Sequence, residues 1–347
     1  MTSIAFPITD VEVVQERVAL AVRAGLTARR KRLPPWLFYD EAGSRLFDEI
    51  TERPEYYLTR TERGILARHA GAMVARATGQ RGVRHAGNGS HTVAQDRNGA
   101  VRLRIAELGA GSADKTRLLL KAAVARQGSV IYEPVDVSAT ALEAAKERIE
   151  REIDGVTVLP RVEDYVHALD FEPMALCERR LVLYIGSSIG NFEPEEAAEL
   201  LERVRAELRP GDALLLGVDL VKDEATLLAA YDDFAGVTAD FNLNVLARLN
   251  RELGADFELD AFEHRAIWNE DASRMEMHLE SRTQQRVRLE GMDLEVYFEA
   301  GERIHTENSY KYLPGQAEAL LKRAGFEPVE SWTDELGWFG VCLGRAE

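Results

Sequence analysis

Glu107-Leu108-Gly109-Ala110-Gly111-Ser112 follows an apolar, strand-like run and opens a helical one. Gly109 and Gly111 let a backbone turn tightly and let a ligand approach main-chain N–H groups. A dinucleotide fingerprint would place a third glycine at position 114, but Asp114 stands there, and a carboxylate is a poor neighbour for pyrophosphate. The turn therefore suits a cofactor without phosphate. Asp136 ends the second strand-like run, where a parallel sheet offers a carboxylate to ribose hydroxyls. Asp164-Tyr165 follows the third, where adenine would lie. Many strand-to-helix turns carry two glycines, and a single loop acid usually meets only water. Three such features at the ends of three consecutive strands, in order, favour a nucleoside cofactor.

The surrounding text alternates strand and helix. Strand-like runs at 102–109, 129–137, 156–160, 179–188 and 212–220 are separated by helical patterns at 114–127, 141–153 and 193–208. That alternation predicts an α/β fold with a doubly wound parallel sheet. Ahead of it, helical spacing covers 9–29, with Thr9-Asp10 placed to cap it, and resumes at 40–50 and 59–76; prolines interrupt it at 34–35 and 54. Residues 78–100 carry five glycines and no periodicity, and read as a flexible surface loop. Residues 221–252 read as helical and 256–310 as antiparallel strands; a helix at 314–326 and a terminal strand at 337–344 close the chain. The expected division is 1–62 and 222–310 for a second α+β unit, with 63–221 and 311–347 for the sheet.

The chain has 347 residues, of which 46% are hydrophobic, with 26 Gly and 11 Pro, which excludes collagen-like and largely disordered classes. At ~150 residues per domain the length suits two domains or one enlarged by an insertion. The net charge of −16 disfavours nucleic acid and anionic membrane as partners. Cys177 and Cys342 make neither a disulfide framework nor a zinc site. With no signal-like start and no stretch near ~18 uncharged apolar residues, a soluble cytoplasmic protein is expected.

Beyond the glycine turn, the chain resembles the S-adenosylmethionine (SAM)-dependent L-histidine Nα-methyltransferases of ergothioneine biosynthesis. The resemblance rests on LPPWLFYDEAGSRLFDEITERPEYYLTRTE (33–62), ELGAGSADKT (107–116), PVDVS (134–138), GSSIGNFEPEEA (186–197), YDDFAGVTADFNLNVL (231–246) and IHTENS (304–309), in colinear order over nearly the whole chain. Two departures are a longer 78–100 loop and Glu163 before Asp164, where a small residue is common. The resemblance implies a Rossmann-like class I SAM methyltransferase sheet with a second α+β substrate-binding domain. On the cofactor side it places Gly109, Gly111 and Lys115 along the methionine end, Asp136 at the ribose, and Asp164 with Tyr165 at adenine. It places Tyr56, Asn191 and Tyr231 on the amino-acid backbone, Glu307 and Ser309 on the imidazole, and Tyr39, Gly186, Phe241 and Met277 around them. By residue type alone, Asn191 would sooner cap the following helix, the tyrosines would sooner be half-buried core, and Glu307 would by default be a solvated strand residue; only the resemblance reverses these readings. His278 and His305 show no metal spacing and read as structural.

The implied reaction converts L-histidine to hercynine, using three SAM and releasing S-adenosylhomocysteine, with no metal. In-line transfer to an amine needs a neutral nitrogen held ~3–3.5 Å from the methyl carbon. Tyr39 is the candidate to contact that nitrogen, and Tyr39 and Phe241 offer aromatic faces to a growing ammonium. Glu307 and Ser309 pair both ring nitrogens, which would select histidine. Methylation of another amino acid, or a non-catalytic SAM-binding module, are the competing readings; a monomer is expected.

Overall fold

The computed structural model describes residues 11–79, 101–166 and 169–347. The Thr9-Asp10 cap and nearly all of the 78–100 loop lie outside them.

In chain order the elements are α1 (Val11–Leu26), α2 (Glu41–Thr51), α3 (Tyr57–Ala77), β1 (Arg102–Leu108), α4 (Arg117–Gln127), β2 (Val130–Asp136), α5 (Ala139–Glu152), β3 (Val156–Val158), β4 (Arg161–Val162), β5 (Glu178–Tyr184), α6 (Pro194–Ala206), β6 (Ala213–Asp219), α7 (Glu224–Tyr231), α8 (Val237–Leu253), β7 (Phe262–Asn269), β8 (Arg274–Ser281), β9 (Gln285–Leu289), β10 (Leu294–Phe298), β11 (Arg303–Tyr310), α9 (Gln316–Arg323), β12 (Phe326–Thr333) and β13 (Phe339–Ala346). Local chemistry sets several starts. Asp40 caps α2 through the Gly43 N–H, Ser138 caps α5, and Glu193 with Glu196 forms a capping box ahead of Pro194.

The large sheet runs β12-β13-β6-β5-β1-β2-β3, with β4 added beside β2. Strands β3, β2, β1, β5 and β6 are parallel, and β13 pairs antiparallel with both β6 and β12. The chain winds from β1 out to β3, then returns to β5 on the other side of β1. A crevice therefore opens at the carboxyl ends of β1 and β5, where such sheets bind ligands. Alternation along β5 builds both faces: Leu181 and Leu183 join the core with α3 and α4, while Val182 and Tyr184 join the core with α6 and α9.

Three details differ from the sequence expectations. The helix expected from 114 begins at Arg117, since Ala113 takes a left-handed φ of +51° and 114–116 form a turn ahead of it. The stretch 221–252 is two helices, broken at Asp232–Gly236, where Asp233 accepts the Val237 and Thr238 N–H groups of α8. Strand β12 was not expected, since Glu327, Pro328 and Glu330 hide its alternation at a sheet edge. The antiparallel region forms a three-stranded sheet, β11-β8-β7, and a β9–β10 hairpin. Met275, Met277 and Leu279 of β8 face the core, and β8 packs against α8.

Candidate active site

A cleft of about 550 Å³, counting its open mouth, is lined by Tyr39, Phe47, Tyr56, Gly186, Asn191, Tyr231, Thr238, Phe241, Met277, Glu307 and Ser309, among others. All nine residues expected on the substrate side thus meet in one cavity.

Its aromatic wall is held from behind. Residues 35–38 form a single 3-10 turn that ends at Tyr39, and α8 grips the turn's far side. Arg248 donates to the Leu37 carbonyl at 3.0 Å, while Asn244 and Arg251 donate to the Asp40 carboxylate at 2.8 and 2.5 Å. Phe241, also on α8, stacks on Phe38 with ring centroids 4.5 Å apart and meets Tyr39 edge-on at 5.9 Å. Phe47 bridges Tyr39 and Tyr56 at 5.7 and 6.2 Å. Tyr39 stays 38% exposed at the cleft mouth, and desolvation of its hydroxyl, then the charge on Glu307, hold the phenol above its ordinary range.

Glu307 reaches the cleft because of a β-bulge. Along β11, Ile304 faces the core opposite Leu279, and strict alternation would send residues 307 and 309 outward. The extra residue at Thr306 shifts the register, so Glu307 pairs with Met277 and Ser309 with Met275, on the inner face. His278 and His305 lie on the outer face, where they bond Glu276 and Asn308 at 3.1 and 2.8 Å. Burial pushes the Glu307 carboxyl up to about 7, and Lys311 opposes that rise. Among the described residues no hydrogen bond reaches its oxygens.

Tyr231 ends α7, and its carbonyl bonds His264 Nε2 at 2.8 Å, with Asn242 against the other ring nitrogen at 2.8 Å. A carbonyl only accepts and an amide nitrogen only donates, so Nε2–H donates to Tyr231 and Nδ1 accepts from Asn242, and burial lowers the His264 pKa in keeping with that. The Tyr231 hydroxyl lies 2.7 Å from Ser309 Oγ. Asn191 ends a 3-10 turn (Ser188–Asn191); Glu193, not Asn191, caps α6, and the Asn191 amide makes no hydrogen bond among the described residues.

On the other side of Gly186 lies the glycine turn. Gly109 and Gly111 have φ of +69° and +49°, the left-handed region that favours glycine, and a Cβ on Gly111 would meet only open space. The Gly111 N–H donates to Asp136 at 3.0 Å, fixing that carboxylate at the end of β2 with its remaining lone pairs available. Tyr165 leans over Gly109, its hydroxyl 3.3 Å from where a Cβ would stand. Asp164 pairs with Arg17 of α1, whose guanidinium covers Trp36.

The two sides are joined by a residue the sequence reading missed. Glu62 of α3 is fully buried, pairs with Lys115, and accepts the Gly186 N–H at 2.9 and 3.0 Å. Its carboxylate fits only because residue 217 is glycine: a Cβ there would lie 2.2 Å from Glu62 Oε1. An acid on the apolar stripe Leu58, Ile65, Leu66 was the available signal. Thr238, whose buried hydroxyl has no partner among the described residues, and Lys311, which bonds Tyr231 and Ser309 from behind the cleft wall, were also missed.

A doubly wound sheet that ends in antiparallel β13 and β12, with an open two-glycine turn after its first strand and an acid ending its second, is that of an α/β enzyme with a nucleoside cofactor; the turn and Asp136 suit a cofactor with ribose hydroxyls and no phosphate, as in the SAM-dependent methyltransferases. The chain belongs to the SAM-dependent, histidine-specific methyltransferase family, whose model matches residues 18–346. It is 46% identical over 322 residues to the histidine N-alpha-methyltransferase of Mycolicibacterium smegmatis, covering 93% of this chain and 92% of that one. Identity to the enzyme of the same name from Mycobacterium tuberculosis is 42% over the same shares. Ergothioneine biosynthesis protein 1 of Neurospora crassa is 30% identical over 87% of this chain and 32% of its own length.

Proposed function

We propose that this chain methylates the α-amine of L-histidine three times, forming hercynine, the first step of ergothioneine biosynthesis. Bound SAM supplies the activated methyl group at its sulfonium; Gly109, Gly111 and Lys115 would line its methionine end, Asp136 its ribose, and Asp164 with Tyr165 its adenine. Tyr56, Asn191 and Tyr231 hold the amino-acid backbone, and Glu307 with Ser309 hold the imidazole. Positioning does most of the work. The acceptor must arrive as a free amine, and the raised Tyr39 phenol is a hydrogen-bond partner for it rather than a tyrosinate base. The proton leaves to water. Tyr39, Phe47 and Phe241 offer ring faces to the methylated ammonium as it grows.

One observation carries the reading: Glu307 is a half-buried carboxyl on the wall of the cleft, its pKa raised by desolvation, without a hydrogen-bond partner among the described residues. An imidazole N–H is the partner it lacks. In this reading the sheet binds the cofactor, 1–62 and 222–310 supply the acceptor site, and the acidic chain works as a cytoplasmic monomer without nucleic acid or membrane. Incubation with SAM and each amino acid in turn, read by mass, tests it. Histidine should gain three methyl groups and the others none.

A further inference from the structure

Lys311 follows β11 with its side chain fully enclosed, and all three of its N–H donors are engaged. It donates to Asp219 at 2.9 Å, to the Tyr231 hydroxyl at 2.7 Å and to Ser309 Oγ at 2.8 Å. An ammonium has three donors and no acceptor, so both hydroxyls must accept from it. Those hydroxyls also share one bond, 2.7 Å long, which consumes one of their two protons. One proton is left for the cleft.

If Tyr231 donates to Ser309, Ser309 presents that proton to the ligand; in the reverse order, Ser309 presents a lone pair. The phenol is the more acidic hydroxyl, which favours Tyr231 as the donor, and Lys311, 2.7 Å from one oxygen and 2.8 Å from the other, adds its charge beside both. A charge 2.8 Å from Ser309 Oγ makes it a better donor and a poorer acceptor, and repels a second cation beside it. We propose that Lys311 is the positioning residue that occupies a lone pair on each hydroxyl, holds Ser309 as a donor and repels a charged ring, so that the cleft accepts histidine with a neutral ring, its N–H on Glu307 and its bare nitrogen on Ser309. The inference rests on the assignment of Glu307 and Ser309 to the imidazole. The ionisable groups around Lys311 are Asp219 and Lys222 from the end of β6, Tyr57 and Tyr56 at the start of α3, Tyr231 of α7 and Glu307 of β11. Lys222 and Tyr57 also bind Asp219, at 2.6 and 2.7 Å, and leave that carboxylate with partners of its own when Lys311 is replaced in the test below.

The test is calorimetric binding with S-adenosylhomocysteine present, from pH 5.5 to 8, of histidine and of 1,2,4-triazolylalanine, whose ring stays neutral throughout. In the unaltered protein, histidine should lose affinity relative to the triazole by about ten-fold per pH unit below ~6.5, the ordinary imidazole value. Lys311→Met should weaken histidine by about 30-fold at pH 8 and flatten that relative loss, with cofactor affinity within a few-fold. Lys311→Gln, which keeps donors without charge, should also flatten it. Equal pH dependence of the two ligands in the unaltered protein overturns the proposal, whether or not either variant folds. If Glu307→Ala leaves histidine binding unchanged, the imidazole assignment itself fails; if it weakens binding while the two ligands still track together, only the role of Lys311 falls.

Discussion

Glu107 and Glu307 each stand on a strand, and burial lifts each carboxyl to about 7. They differ in what meets their oxygens. Glu107, ending β1, receives the Thr116 hydroxyl, 2.7 Å from both its oxygens, and the Tyr132 hydroxyl of β2. It ties the cofactor turn to the start of α4 and to the neighbouring strand, and nothing from outside is needed to satisfy it. Around Glu307 the fold supplies an apolar neighbour, Met277, and a cavity. Desolvated charged groups are ordinarily bonded within the protein, so a half-buried acid that opens on a cleft without a partner marks where a ligand could complete the structure. One pKa thus describes a brace in one region and a binding site in the other.

Replacing Glu307 by Ala should have the largest effect. It removes a charged bond from a desolvated site, so kcat/KM for histidine should fall by ~10² or more, with SAM affinity within a few-fold. Unchanged histidine kinetics would erase the contrast with Glu107.

Asp136→Ala tests the cofactor side independently. Loss of a carboxylate bond to ribose should weaken SAM by about 1–3 kcal/mol, roughly 5- to 150-fold in Kd, while histidine KM at saturating SAM stays near its original value. Equal SAM affinity by calorimetry would move the cofactor elsewhere.

Glu107→Ala should act oppositely to Glu307→Ala. It strands the Tyr132 and Thr116 hydroxyls in the core, at a cost of about 1–3 kcal/mol, and lowers Tm by several degrees. Histidine KM should hold. A selective loss of histidine affinity at unchanged Tm would show that Glu107 is no mere brace.

The sheet was legible because its strands are short apolar runs buried on both faces and separated by helical periods, a pattern that survives without tertiary information. The cofactor turn was legible too, since Gly109 and Gly111 stand where only glycine is comfortable. The acceptor site was not readable from residue type alone. Glu307 reaches inward through a one-residue bulge at Thr306, and alternation read from Ile304 points the other way. The resemblance named Glu307 without explaining its direction. Glu62 and Lys311 escaped because their value lies in partners 124 and 80 residues away, Gly186 and Tyr231. Lys311 does sit two residues beyond Ser309, itself two beyond Glu307, so the period-two face held a signal once the bulge was known.

The smallest effect, and the sharpest test of the comparison, is the pH dependence of stability without ligand. A carboxyl near 4.5 in the unfolded chain and about 7 in the folded one keeps its proton longer when folded. Between those values the folded state binds more protons than the unfolded one, so stability falls as pH rises through the window and levels off on either side. Glu307 and Glu107 both contribute, and Glu307→Gln removes one share. The variant should match the unaltered protein in Tm near pH 5 and exceed it by a few degrees at pH 8, because the amide has no charge to bury. Saturating histidine with S-adenosylhomocysteine should cancel that advantage, since an imidazole N–H stabilises the ionised acid of the unaltered protein. The same ligands should leave the Glu107 share of the slope untouched, because its hydroxyl partners are already in place. Thermal unfolding across this range, with and without ligand, measures all of these differences. A Tm gap between Glu307→Gln and the unaltered protein that is the same at pH 5 and pH 8 would mean that Glu307 titrates alike in the folded and unfolded chain, and that no desolvated acid waits in the cleft for a ligand.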